Sequence, residues 1–154
     1  MLKEEKIMQV KKANIEDIKN NKEIIINFFL KLLSEDTDIE NVSFKTEENY
    51  KNMEKFILDG SANVFCAFEN DRIVGFIWAY EIRKKVFHIN YFYVDEKFRS
   101  MGLGQCLLEK LYEEAKAKEI ESIELFVNKE NEKALKKYLK NGFKEEQIKM
   151  RKIL

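Results

Sequence analysis

A chain of 154 residues that is 45% hydrophobic and 12% aromatic can bury one core without staples and is too apolar for disorder. Its 28 basic and 28 acidic side chains cancel, and that balance argues against nucleic acid, whose polyanionic backbone selects for a basic excess. Four of the basic residues are arginine (Arg72, Arg83, Arg99, Arg151), and the excess of lysine reads as coding bias rather than as a functional signal.

From the N-terminus, Met1-Leu2-Lys3-Glu4-Glu5-Lys6 runs straight into charge and offers no apolar leader core. Alternation in Ile7-Met8-Gln9-Val10 predicts a first strand. Asn14 is placed to cap a helix over residues 14–33, in which Ile15, Ile18, Ile25, Phe28, Phe29 and Leu32 recur at helical spacing. Its most apolar part, 24–33, is broken by Asn27 and Lys31 and is too short to cross a bilayer, so a soluble, cytoplasmic chain without a membrane partner is expected. A polar stretch over 34–40 leads to a second helix over 46–58, with Tyr50, Met53, Phe56 and Ile57 on its inner side and an acidic first turn. Runs over 64–68 and 73–80 are β-branched and aromatic and read as a hairpin, and 86–94 is a third such run behind another charged turn. Cys66 lies in the first of these and Cys106 far downstream, with no C-x-x-C spacing and no histidine ligand set. No metal site or disulfide is expected, and a reducing compartment is. A glycine-containing loop then opens a helix over 102–118, striped by Leu103, Leu107, Leu108, Leu111 and Ala115. A strand over 121–127, a helix over 131–141 closed by Gly142, and a last strand over 143–153 complete the chain. No proline, repeat or linker interrupts it, so residues 1–154 read as a single domain. The order β-α-α-β-β-β-α-β-α-β predicts an α/β (α+β) fold with a mixed, mostly antiparallel central sheet flanked by helices.

The loop Val94-Asp95-Glu96-Lys97-Phe98-Arg99-Ser100-Met101-Gly102-Leu103-Gly104 ends a strand and starts a helix. Helix N-termini carry unpaired N–H donors and partial positive charge, which suits a phosphate or pyrophosphate. Gly102 and Gly104 remove Cβ atoms that would hold a ligand away from those donors, and Arg99 offers charge and forked donors to the same anion. A P-loop is excluded because no G-x-x-x-x-G-K-[ST] occurs. A Rossmann turn is disfavoured, because its third glycine would fall at Leu107. A plain strand–helix turn is the alternative for the loop alone.

Arg99-x-x-Gly102-x-Gly104, following an aromatic strand, resembles the coenzyme A signature of the GNAT superfamily of N-acetyltransferases. Downstream, Asn131-x-x-Ala134-x-x-x-Tyr138-x-x-x-Gly142-Phe143 resembles that superfamily's second motif, and Arg72-Ile73-Val74-Gly75-Phe76 its third strand. The resemblance covers residues 64–143 and implies a GNAT-like acyl-CoA N-acyltransferase fold, acetyl-CoA as co-substrate and an amine as acceptor. It also implies that the backbone of Phe92 and Val94 pairs with the pantetheine arm, and that Arg99, Met101, Gly102, Leu103 and Gly104 hold the pyrophosphate. Asn131 would reach the cofactor, unless it serves as a helix N-cap, a task for which Asn128 competes. Tyr138 is the candidate acid for the leaving thiolate, since a phenol near pKa 10 is protonated at neutral pH; the alternative is a tyrosine packed on the sheet. His88, eleven residues before Arg99, stands where some members place a glutamate base; the alternatives are a packed histidine and a water chain. Glu81, Asn90 and Tyr91 are further candidates.

The segment 34–44 carries four carboxylates (Glu35, Asp36, Asp38, Glu40) and no Lys or Arg. It would draw a cationic amine to the acceptor side, or else is a solvated loop. Two other functions fit the same residues: a catalytically silent acyl-CoA-binding module, and an enzyme acetylating charged tRNA, which the zero net charge disfavours. A homodimer is compatible with the sequence.

Overall fold

The computed structural model describes residues 8–33 and 39–154, the side chains of 39–43 excepted. Ile7 of the expected first strand lies outside them. β1 (Met8–Lys12) leads to Asn14, which caps α1 (Ile15–Asn20) by a capping box. Asn14 Oδ1 accepts from Asp17 N at 2.9 Å, and Asp17 Oδ2 accepts from Asn14 N at 3.0 Å.

The single helix expected over 14–33 is two, because Asn21 breaks it before α2 (Lys22–Leu33). The buried Asn21 amide donates to Asp17 O (2.9 Å) and Asp71 O (3.1 Å) and accepts from Ile73 N (3.0 Å). One side chain thus ends a helix and pins it to the turn between the second and third strands, a local competition that asparagine is suited to win. α3 (Ile39–Leu58) starts well before residue 46, and Thr46 is buried inside it.

The sheet has five strands in the order β1-β2-β3-β4-β5, with β2 (Ala62–Glu69), β3 (Arg72–Arg83), β4 (Val86–Val94) and β5 (Ser122–Glu124). Every pairing is antiparallel except β4 with β5, which is parallel. Residues of β2 and β3 are buried on both faces, so these strands read as continuous apolar runs. One face (Cys66, Phe68, Phe76, Trp78, Tyr93) packs under α1, α2 and α3, with Phe28 and Phe29 as the main wedges. The other (Phe65, Ala67, Ile77, Ile89, Val94) packs under α4 (Leu103–Ala117) through the predicted stripe Leu103, Leu107, Leu108, Leu111 and Ala115. Truncating one such buried leucine to alanine costs about 2–5 kcal/mol.

α5 (Glu132–Lys140) follows β5. The strand expected over 121–127 is only three residues long, and among the described residues no strand follows α5. Residues 144–154 are exposed, with Ile148, Met150, Ile153 and Leu154 in solvent. Only Ile148 and Met150 alternate among them, and such a run makes a strand only where a ladder and an apolar face are there to receive it. No described helix is long and apolar enough to cross a membrane.

Candidate functional site

β4 is paired on both sides at its start and on one side at its end. Its ladder to β5 has three rungs, Val86 with Ser122, Phe87 with Ile123 and His88 with Glu124, and then stops. Its ladder to β3 continues to the rung between Val94 and Gly75. Asp95 N donates to Val74 O at 2.8 Å, so the alternation of an antiparallel ladder leaves Val94 and Phe92 with N–H and C=O pointing away from β3. Both residues therefore offer backbone groups to the gap where β5 has ended. Between them and the last β5 rung, Tyr91 pairs with Trp78 and Ile89 with Ala79, so Asn90 is the extra residue of a β-bulge.

The glycine loop borders the same gap. Asp95 Oδ1 accepts from Lys97 N (3.2 Å) and starts a 3-10 turn over Glu96–Phe98. Ser100 (φ +67°) and Gly102 (φ +78°) are left-handed, and Gly102 begins α4 with no side-chain cap on its N–H groups. Leu103 is buried and anchors the turn, while Met101 is exposed. A methyl group on Gly104 would meet Lys137 Nζ, the movable end of a flexible side chain, and stand in ordinary contact 3.5 Å from Phe92 Cζ, so glycine leaves that space to the lysine. Arg99 sits differently from its expected phosphate role. Its Nε–H donates to Val94 O at 2.9 Å, and its guanidinium carbon lies 5.3 Å from the Tyr93 ring centroid, on the face opposite Phe92.

α5 closes the other side. Asn131 is its N-cap, its Oδ1 accepting from Ala134 N at 3.3 Å, while Asn128 Oδ1 serves Glu130 N at 3.2 Å. At the far end Gly142 is left-handed (φ +88°); Phe143 N donates to Tyr138 O (3.0 Å) and Gly142 N to Leu139 O (3.1 Å), a Schellman closure. That closure sets the Phe143 ring edge-on to Tyr138, with centroids 5.5 Å apart. Burial, with Tyr112 nearby, pushes the Tyr138 phenol up to about 12. Lys137, which the sequence reading missed, is an α5 side chain that touches β4. Its Nζ lies 4.5 Å from the Phe92 ring centroid, and burial lowers its pKa below that of an ordinary lysine.

His88 stands on the last rung before β4 and β5 part. It is buried, its ring 5.7 Å from Tyr80 and 5.3 Å from Phe126, centroid to centroid. Its Nδ1 has no hydrogen-bond partner, yet lies 3.5 Å from Glu124 Oε1. The Arg83 fork, at 3.2 and 2.6 Å, holds the Glu124 carboxyl below the usual carboxylate range. That charge favours the tautomer with the proton on Nδ1, leaving Nε2 as the acceptor.

A cavity of about 460 Å³ opens between α3 and the sheet and reaches the Asn90 bulge. Asn49, Asn52, Trp78 and Tyr80 line it, and Glu81 is the carboxylate in its wall. Trp78 Nε1 is buried without a partner there, and Tyr91 sits beside it, its hydroxyl accepting from Asn49 Nδ2 at 2.8 Å. Glu35, Asp36 and Asp38 lie outside the described residues, as does the side chain of Glu40.

Comparison with known proteins gives one family. Residues 27–143 match the model of the acetyltransferase (GNAT) family. An uncharacterised N-acetyltransferase of Bacillus subtilis, YdgE, is 34% identical over 135 residues, covering 83% of this chain and 85% of that protein. An uncharacterised N-acetyltransferase of Methanocaldococcus jannaschii, MJ1207, is 35% identical over 85 residues, 51% of this chain and 38% of that protein's own length. Among solved structures, the PaiA N-acetyltransferase of Thermoplasma acidophilum in complex with coenzyme A superposes with a TM-score of 0.79 at 21% identity, over 93% of each chain.

Proposed function

The chain belongs to the acetyltransferase (GNAT) family, and from that premise we propose that it is an N-acetyltransferase moving an acetyl group from acetyl-CoA to an amine. One observation carries the reading: the unpaired run of β4 beyond the His88–Glu124 rung, flanked by the glycine-opened start of α4. An extended amide-bearing arm needs such a strand edge, and a diphosphate needs such a helix start. When bound, acetyl-CoA supplies a thioester carbonyl activated toward attack by nitrogen.

Each residue then has a task that its surroundings support. The N–H groups of Phe92 and Val94 hold the arm and stand where an N–H can stabilise charge growing on the thioester oxygen. Gly102, Leu103 and Gly104 bring the first turn of α4 to the diphosphate, with Met101 at its mouth, while Arg99 holds the Val94 carbonyl. Asn131 spends its carbonyl oxygen on the cap and keeps its amide donor for the cofactor. Tyr138, kept protonated by burial, donates to the departing thiolate. His88, with Nδ1 toward Glu124, takes the proton of the acceptor amine at Nε2, directly or through water.

The acceptor enters by the cavity at Asn90. With amide and aromatic walls, Glu81 as the carboxylate and Lys118 engaged by Glu114 and Asn63, that cavity suits a small amine. A cationic acceptor draws in addition on the acidic segment 34–44.

Coenzyme A at 100 times its Kd should raise the unfolding free energy by about 2.7 kcal/mol, seen as a higher Tm. Acetyl-CoA with an amine panel should release free thiol beyond the amine-free rate. A Tm shift without amine-stimulated release would leave a binding module, and the absence of both effects would end the proposal.

A further inference from the structure

Lys137 is a cation out of place. It lies on the inward side of α5 with Ala134, Leu135, Tyr138 and Asn141, half-buried, in a helix whose other lysines are mostly exposed. Its ammonium rests over Phe92 and against Gly104, in the gap between the free run of β4 and the first turn of α4. No carboxylate pairs with it among the described residues, and burial alone shifts its pKa. The neighbouring charge has the wrong sign, because the start of α4 presents its uncapped N–H groups and the positive end of its dipole. A half-desolvated ammonium beside a helix N-terminus destabilises the empty protein, and an anion seated between the two relieves both.

We propose that Lys137 is a cofactor-binding residue that contributes a direct ion pair to the diphosphate of coenzyme A, closing the anion site from the α5 side. The inference rests on the functional reading above and adds to it the cation of that site. Arg99, whose Nε is bonded to Val94 O and whose guanidinium stacks on Tyr93, stands on the opposite face of β4. Lysine suits the inner position because its ammonium is a compact point charge at the end of a flexible stem. That stem lets the ammonium lift from Phe92 to meet the ligand and leaves the ring free for the pantetheine arm.

The test compares wild type, Lys137→Met and Lys137→Arg by titration calorimetry and melting. Methionine keeps the apolar stem over Phe92 and removes the charge. Coenzyme A and adenosine 3′,5′-bisphosphate extended to the 5′-diphosphate should each bind Lys137→Met about ten- to a hundredfold more weakly, the range of a charged hydrogen bond. Pantetheine, which has no phosphate, should bind both proteins alike. The salt dependence of coenzyme A binding should flatten in Lys137→Met, and Lys137→Arg should recover most of the affinity. Without ligand, Lys137→Met should melt no lower than wild type, since an unpaired buried charge has gone. Unchanged coenzyme A affinity in a folded Lys137→Met protein overturns the inference and leaves the functional reading intact. An equal loss for pantetheine also overturns it, by assigning the residue to packing. A wild-type chain that binds no coenzyme A overturns the functional reading, and this inference with it.

Discussion

Tyr138, the candidate acid, is a side chain whose surroundings hold its proton in place. Its ring is held by Phe143, and burial raises its pKa to about 12. The protonated form is therefore complete through neutral pH and is lost only as pH rises through about 12, instead of through about 10 for an open phenol. Tyr138→Phe should lower kcat by about 10²–10⁴-fold with little change in coenzyme A affinity. In the wild type, kcat should not fall between about pH 8 and 10, where an unperturbed tyrosine would begin to ionise. A decline in that interval, or full turnover in a folded Tyr138→Phe protein, would remove the assignment. Tyr138, Gly102 and Gly104 were legible in the sequence because they fall in register with two motifs that resemble those of the GNAT superfamily, whereas Gly-x-Gly alone also fits a plain strand–helix turn. Lys137 was not, although a lysine on the apolar stripe of a nine-residue helix is a readable anomaly. It was hidden by the general abundance of lysine in the chain. His88 could be named from its sequence position, but its Glu124 partner is non-local and owes its orientation to Arg83.

Among the elements, the closure of α5 connects backbone conformation to the candidate acid. Gly142 holds a φ of +88°, with space for a Cβ but not a conformation that L residues favour. Gly142→Ala should destabilise the fold by about 1–2 kcal/mol, lowering Tm by roughly 3–8 °C. Because the Schellman bonds place Phe143 on Tyr138, the substitution should also reduce kcat per folded molecule. A Tm loss with turnover unchanged would separate the cap from the site. Helices and long strands were readable from periodicity; β4, 86–94, has the predicted limits. The misses share a physical cause. The break at Asn21 depends on the Asp71 and Ile73 backbone, fifty residues away in the chain, which no local pattern encodes. The short β5 and the absent last strand depend on whether a neighbour offers a ladder, and that is decided by tertiary geometry. The start of α3 escaped because the residue it buries near its start is the polar Thr46 while Phe44 faces solvent, so apolar periodicity begins only at Tyr50.

At the scale of the whole molecule, opposite faces of one sheet have separate tasks. The aromatic layer packs under α1, α2 and α3, while the α4 face and the parting of β4 from β5 frame the proposed cofactor gap. That parting has a consequence for the empty protein's solution behaviour. The stretch from Asn90 to Val94 is a short piece of strand with one side unsatisfied, and such a side is a template for any passing extended chain, including another copy of this one. Arg99 across the Val94 carbonyl and the Lys137 ammonium beside Phe92 act as gatekeepers, one blocking an acceptor and the other adding charge. A bound pantetheine arm would serve as a surrogate strand and complete the protection. Warmed a few degrees below its Tm, the ligand-free protein should therefore gain light scattering sooner than the coenzyme A-saturated protein at the same distance below its own Tm. Arg99→Ala should scatter sooner still, and equal onset in all three would mean that the gap is too narrow for a peptide. A cofactor of this kind would act as a colloidal chaperone for its own enzyme, linking solubility in the cell to the supply of acyl donor.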